Sequence, residues 1–347
     1  MSAGPGGTLT VHDGGVLATL QDFGRFGWQR AGISASGAMD AVAMHIANRL
    51  AGNAPGVAVI EAAMTGLAFS ADVPLRIALA GAEGAFTIAG APAAPWRAHD
   101  VPAGADVRIG AARTGLRFYL AVAGGFAVAP VMGSLSTHTR SALGGFHGRA
   151  LAAGDRLPVV APPVAGPCLS LPAARRPDTG GPVRVVMGPQ DDAFTAAGLE
   201  TFLAAVWRLS VRADRMGCEL EGPAIGHRAG FNIVSDGIVN GSVQVPGHGR
   251  PVVLLADRQP TGGYPKIATV IGPDLAKLAQ RRPGEEIRFR AVGADEAEAI
   301  ARDHARWLAA LETALVPAGS PGLSSEFLLA QNLAGDATDA AAEPFAG

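Results

Sequence analysis

The sequence predicts a mainly β protein with a few helices, arranged as two units joined by a linker, and three observations carry that prediction. Glycine and proline (47 and 25 of 347 residues) make up about a fifth of the chain and punctuate it at short intervals. The runs between them are short and rich in Val, Ile, Leu and Phe, which is how strands joined by tight turns read. From Leu157 to Pro182 prolines recur too often for a helix or a central strand and no periodicity survives, so this stretch reads as a linker. The expected division is residues 1–157 as an N-terminal domain, 158–182 as linker, 183–316 as a C-terminal domain with a closing helix, and 317–347 as a tail. Either domain is long enough to bury a core without disulfides or metals.

In the first unit, Arg76–Ala80, Ala85–Ala89, Asp106–Gly110 and Arg117–Ala123 fit strands. Ala38–Ala51 differs: Met39, Val42, Ala43, Ile46 and Leu50 recur at helical spacing, Gly52 and Asn53 form a stop signal, and Asp40 stands in the first turn, where a carboxylate suits the helix dipole. Beyond the linker, Val183–Gly188, Phe231–Val234, Ser242–Val245, Pro251–Ala256, Ile267–Ile271 and Glu285–Ala291 read as strands, with helices over Asp191–Ala204 and Asp274–Gln280. The clearest helix is Asp295–Leu315, whose face of Ala297, Ile300, Ala301, His304, Trp307, Leu308 and Leu311 makes His304 a core histidine rather than a ligand. From Pro317 the apolar periodicity thins, as in a loosely ordered tail.

Composition narrows the function. A net charge of −2 without basic blocks argues against a nucleic-acid binder. No apolar run reaches membrane-spanning length, and the first ten residues lack the basic and apolar regions of a signal peptide, so a cytoplasmic location and no membrane partner are expected. Cys168 and Cys218 have no metal-ligand or disulfide spacing. What remains is a small-molecule substrate or protein partners, with no metal expected.

Two rare residue types mark the candidate site. Lysine occurs only at Lys266 and Lys277, and tyrosine only at Tyr119 and Tyr264, so Tyr264 and Lys266 bring both rarities into one segment. That segment, L-L-A-D-R-Q-P-T-G-G-Y-P-K-I-A-T-V from Leu254 to Val270, is a polar loop between two apolar strands. Asp257 offers a proton acceptor or charge partner, and Arg258 a fork for carboxylate or phosphate. Gln259 offers a carboxamide matched to an amide, ureido or lactam group, while Tyr264 and Lys266 offer a phenol and a titratable amine. Thr261 adds a hydroxyl, and Gly262 and Gly263 permit positive φ and close backbone approach to a developing oxyanion. A plain hairpin with a solvated loop is the competing reading of a Gly-Gly between strands. The string is not a Walker A loop, so any ATP belongs to another chain.

A second constellation, L-Q-D-F-G-R-F-G-W-Q-R-A-G-I-S-A-S-G-A-M-D from Leu20, places Asp22, Arg25, Ser36 and Asp40 on Gly-rich backbone at a helix entrance, suited to anions or equally to a capped turn. A third, S-D-G-I-V-N-G-S-V-Q-V-P-G-H-G, sets Ser235, Asn240 and Gln244 close to the loop in sequence, with His248 as a turn residue. Asp214 and Arg215 in A-D-R-M-G read as a structural pair.

These segments, with Y-L-A-V-A-G-G-F from Tyr119 and A-D-R-M-G-C-E-L-E-G-P from Ala213, resemble the family of the 5-oxoprolinase C-type subunit, also called KipA or allophanate hydrolase subunit 2, which includes part of the carboxyltransferase domain of urea carboxylase. The matches run in order from about Thr8 to Phe289. The family's Q-T-T-G-G-Y stands here as Gln259-Pro260-Thr261-Gly262-Gly263-Tyr264, and Cys218 replaces the tyrosine expected after Met-Gly.

The resemblance implies two cyclophilin-like β-barrel domains in tandem and an enzyme active only within a complex. Its partners would be a KipI-type protein, the B-type component, and a LamB/YcsF-type protein, the A-type component. The implied reaction is the ATP-dependent opening of 5-oxo-L-proline to glutamate, with ATP on a partner and no cofactor on this chain. One alternative is the carboxyltransferase component of a biotin-dependent carboxylase, with carboxybiotin on a partner, since the chain has no A-M-K-M biotin acceptor. Another is a regulatory binding protein acting through the KipI-type partner.

Overall fold

The computed structural model describes residues 6–162 and 165–318. The described residues form two large sheets, a two-stranded ribbon and four α-helices. The first sheet has eleven strands, in the order Val316–Pro317, Leu169–Ser170, Arg97–Val101, Leu75–Ile88, Val107–Val122, Ala68–Ala71, Gly7–Asp13 and Arg156–Val159, with Leu17–Gln21, Val59–Ala63 and Ala91–Pro92 pairing off this path. The second has eight: Glu286–Ile287, Trp207–Ala213, Gly217–Glu221, Val252–Leu254, Ser242–Gln244, Lys266–Val270, Val183–Met187 and Phe289–Ala291. Its first and last strands are separated in sequence by Arg288 alone, so the chain draws the two edges together and the sheet curls toward a closed barrel.

The predicted mainly β fold with a few helices is the fold observed, and most predicted elements are present with shifted ends. Arg76–Ala80 and Ala85–Ala89 are parts of one strand, Leu75–Ile88, that bends at Gly81. There φ is +91° and an added Cβ would lie 2.4 Å from the Arg117 carbonyl oxygen, so only glycine fits. Likewise Asp106–Gly110 and Arg117–Ala123 belong to Val107–Val122. The stretch 165–170 is not a free linker throughout, because Leu169–Ser170 pairs with both Arg97 and Val316–Pro317. Phe231–Val234 is irregular rather than a strand, with Val234 92% exposed. The predicted tail lies outside the described residues from 319 onward.

Helix α1, Ala41–Ala51, starts one residue later than a first-turn Asp40 requires: Asp40 is the N-cap and accepts from the Ala43 amide at 2.9 Å. Its buried Val42, Met44, Ile46 and Leu50 pack against the outer face of the first sheet. Helix α2, Ala196–Ala204, follows a 3₁₀ turn at Asp191–Ala193, and α3 spans Leu275–Ala279. Helix α4, Ala294–Ala314, docks on α1 by a narrow stripe in which Leu311 alone is fully buried. His304 is half-buried, stacked on Trp307, and not the core histidine predicted. Each sheet has its own apolar core, and Met39, from the first unit, joins the core of the second.

Candidate functional site

The strands flanking the Leu254–Val270 segment are not neighbours, so the hairpin reading fails. Ser242–Gln244 lies between them in the sheet, and the loop crosses over the end of that strand. Gln244 therefore sits beneath the loop and donates to the Tyr264 carbonyl at 3.1 Å. The loop's far side is held by a two-residue ribbon, Asp236–Gly237 against Thr261–Gly262, and by bonds from the Ile233 amide to the Gly263 carbonyl (2.8 Å) and the Ile238 amide to the Pro260 carbonyl (2.9 Å). Neither Gly262 nor Gly263 has positive φ. Gly262 is needed for space instead: an added Cβ would meet Ile238 Cδ1 at 2.6 Å and Gln244 Nε2 at 2.7 Å.

Two clefts flank the loop. One of about 480 Å³ lies against the second sheet and is lined by Gln244, Gln259, Tyr264, Arg140, Asp214 and Met216 among others. The other, about 420 Å³, opens at the seam between the halves, with Ser34 and His138 on one side and Asp257, Arg258 and Gln259 on the other. Arg140, Met216 and Gln259 line both, so the clefts adjoin. Gln259 Oε1 is buried without a hydrogen-bond partner. Tyr264 is 39% exposed.

Asp257 is not a free base. Its two oxygens accept from Arg215 Nε and Nη2, both at 3.0 Å, and Oδ1 also accepts from the Ser36 hydroxyl at 2.5 Å. Burial alone would raise its pKa, but Arg215 and Ser36 outweigh burial and hold it below the ordinary carboxylate value. Arg215 donates in addition to Glu61 and to the Gly37 carbonyl, and does not pair with Asp214, which faces Arg140 at 2.8 Å. Glu61 accepts from the Tyr119 hydroxyl at 2.8 Å, and that hydroxyl accepts from the Asp40 amide at 2.8 Å. Asp40 in turn accepts from Gln280 Nε2 at 2.9 Å, closing a buried network between the halves. Burial raises the pKa of Asp40 and, more strongly, of Tyr119.

Other predicted residues fall outside the clefts. Lys266, 2% exposed, donates to Asp236 at 2.7 Å, its amide donates to Gln190 Oε1 at 3.0 Å, and it lines neither cleft. Asp22 organises the loop beside it, accepting from Ser134 Oγ (2.7 Å), Ser136 Oγ (2.5 Å) and the amides of Leu135 (2.7 Å) and Gly24 (2.8 Å). Arg25, fully buried, donates to the carbonyls of Val131 and Ser136. Asn240 lines a separate apolar cavity near α1 and α4, and Ser235 is exposed just before the ribbon. Thr261 is also exposed. His248 is the turn residue predicted, accepting from the Arg250 amide at 3.1 Å.

The structure thus brings Gln244, Arg258, Gln259 and Tyr264 together at adjoining clefts, turns Asp257, Ser36 and Asp40 into an internal lock, and gives Asp22, Arg25 and Lys266 internal partners. The sequence reading missed Glu61, Tyr119 and Gln280 as network members and His138 and Arg140 as cleft walls. Glu61 had a signal, being the single charge within the apolar strand V-I-E-A-A. His138 and Arg140 had none.

A family model described as the carboxyltransferase domain, subdomain A and B, matches residues 31–291. The chain is 35% identical to a Haemophilus influenzae protein named as the C subunit of 5-oxoprolinase, over 84% of this chain and 93% of that one. It is 36% identical to the Escherichia coli protein of the same name, over 86% and 96%. The crystal structure of the K. lactis urea amidolyase superposes with a TM-score of 0.82 at 26% identity, covering 89% of this chain but only 20% of the larger enzyme.

Proposed function

The chain belongs to the carboxyltransferase-domain family, subdomains A and B, and from that premise we propose that it is the C-type subunit of an ATP-dependent 5-oxoprolinase. In this reading it opens 5-oxo-L-proline to L-glutamate together with a KipI-type and a LamB/YcsF-type partner. The observation that carries the reading is the carboxamide of Gln259, placed where the two clefts adjoin, with its carbonyl oxygen buried and unpartnered. A buried acceptor left without a donor costs about 1–3 kcal/mol. A lactam offers the missing N–H.

The remaining chemistry of the larger cleft suits a flat cyclic amide. Gln244 and Tyr264 present a carboxamide and a phenol on the same wall, so the ring's carbonyl and N–H meet side chains that reproduce the hydrogen bonds lost from water. Opening the ring adds water across the C–N bond, leaving a carboxylate and an amine that takes up a proton. ATP, held by a partner protein, supplies the driving force. This chain's residues bind and orient the ring so that its carbonyl is presented in one geometry. Asp257 contributes by position: its bonds to Arg215 and Ser36 fix the backbone that carries Arg258 and Gln259.

The test is to assemble the chain with the two partner proteins and measure glutamate released from 5-oxoproline. Release that requires ATP and all three chains is expected; a correctly assembled complex that releases none defeats the reading. The superposition on urea amidolyase favours one second reading, a carboxyltransferase component that uses carboxybiotin on a partner, because urea shares the amide pattern of a lactam. Urea-dependent turnover only in the presence of a biotinylated partner would decide for it.

A further inference from the structure

Among the described residues five arginines are buried: Arg25, Arg76, Arg117, Arg215 and Arg258. Arg76 faces Asp100 at 2.8 Å, Arg117 faces Glu61 at 3.9 Å and Arg215 faces Asp257 at 3.0 Å, while Arg25 lies in the field of Asp22 and Asp257. Within the described protein Arg258 has no such neighbour. It is 9% exposed, its Nε and Nη1 reach only the carbonyls of Ile238 and Leu255 at 3.3 Å, and Nη2 makes no hydrogen bond within the described protein. Burial depresses its pKa with no carboxylate opposing the effect. A desolvated guanidinium without a counter-charge is costly, and the cost falls when an anion enters beside it.

The walls around Arg258 repeat the same preference. His138 and Arg140 line the seam cleft, with the hydroxyl-bearing Ser34 and Ser141. Among the described residues the one acid on that wall, Asp257, has both oxygens committed to Arg215 and Ser36, so its charge is already countered. Arg140 is held at the rim by Asp214, outside the seam cleft.

We propose that the seam cleft is a small-oxyanion site in which Arg258 binds a carboxylate or phosphoryl group, with His138 and Arg140 completing the wall. It adjoins the cleft of Gln244 and Tyr264 through Gln259, so one bound molecule spans both, its amide in the larger and its anionic group in the smaller. This extends the lactam reading to a second subsite without depending on it, because anion binding is measurable on the full chain alone.

The experiment is isothermal titration of the full chain, at constant ionic strength, with inorganic phosphate, 5-oxo-L-proline and the uncharged lactam 2-pyrrolidinone. Phosphate or 5-oxoproline is expected to bind, with 2-pyrrolidinone about tenfold weaker than 5-oxoproline or worse. Arg258→Gln should weaken the anion by about tenfold or more. Ser141→Glu, at an exposed position, tests the site without disturbing a buried residue: its carboxylate should repel the anion while circular dichroism stays unchanged. Loss of phosphate alone assigns the arginine to a phosphoryl group, and loss of 5-oxoproline alone to a carboxylate. Phosphate binding lost in both variants, with no 5-oxoproline binding at all, leaves the anion site standing and counts against the lactam reading. The proposal is overturned if neither anion binds, or if both variants bind them as the unaltered chain does.

Discussion

Arg215 is the residue on which the seam depends. Its guanidinium serves carboxylates from both halves, Glu61 and Asp257, and removing it leaves buried Asp257 without its ion-pair partner and buried Glu61 with Arg117 alone, 3.9 Å away. Arg215→Ala should therefore destabilise the chain by about 3–5 kcal/mol in urea denaturation, far more than an exposed arginine such as Arg302. Lys266 and Asp236 give a prediction in pH. Hydrogen bonds from Lys266 and Gln190 pull the Asp236 carboxyl from its ordinary 3.8 down to about 2. Because the folded value is depressed, the pair's contribution is present above pH 3.8 and is lost as pH falls toward 2. A carboxyl titration by NMR should show that midpoint, and Lys266→Met should return it toward 3.8. Residue rarity in the sequence was a partial guide. Tyr264 does line a cleft and Tyr119 does join a buried network, but Lys266 is neutralised by an exposed acid 30 positions away, a pairing that no local pattern encodes.

At the scale of elements, periodicity recovered the helices and most strands because burial on one face leaves its mark on neighbouring residues. It failed where apolar residues are not buried. Phe231–Val234 looks like a strand by composition, yet Phe231 and Val234 are exposed and the segment's amide at Ile233 is spent on the Gly263 carbonyl of the Leu254–Val270 loop. The loop's own shape was also illegible, since a crossover above Ser242–Gln244 and a simple hairpin have the same strand-loop-strand sequence. The crossover makes a specific demand at Gly262. Gly262→Ala should displace Gln244 from the Tyr264 carbonyl, costing about 1–3 kcal/mol as an overpacked site and lowering activity of the assembled complex more than Gly237→Ala, where an added Cβ meets nothing. Helix α1 is testable through its cap: Asp40→Ala removes the bond to Ala43 and leaves Gln280 Nε2 one acceptor short, for a loss of about 1–2 kcal/mol by thermal denaturation.

In the whole molecule, two sheets with separate cores are zipped by a polar network that runs from Gln280 through Asp40, Tyr119 and Glu61 to Arg215 and Asp257. Calorimetry should accordingly show one cooperative transition for the chain, and two when Arg215→Ala and Gln280→Ala are combined. The same network sets the clefts, because it fixes the loop from the second half against Ser34 and His138 of the first. Among the described residues no helix is long and apolar enough to cross a membrane. In the proposed function Gln259, at the meeting of the two clefts, holds a cyclic amide. Steady-state kinetics of the assembled complex with Gln259→Ala are the decisive measurement: kcat/KM for 5-oxoproline should fall by about a hundredfold, roughly 2.7 kcal/mol of lost transition-state binding, while the complex still forms. An unchanged kcat/KM in an intact complex would remove Gln259 from the lactam site.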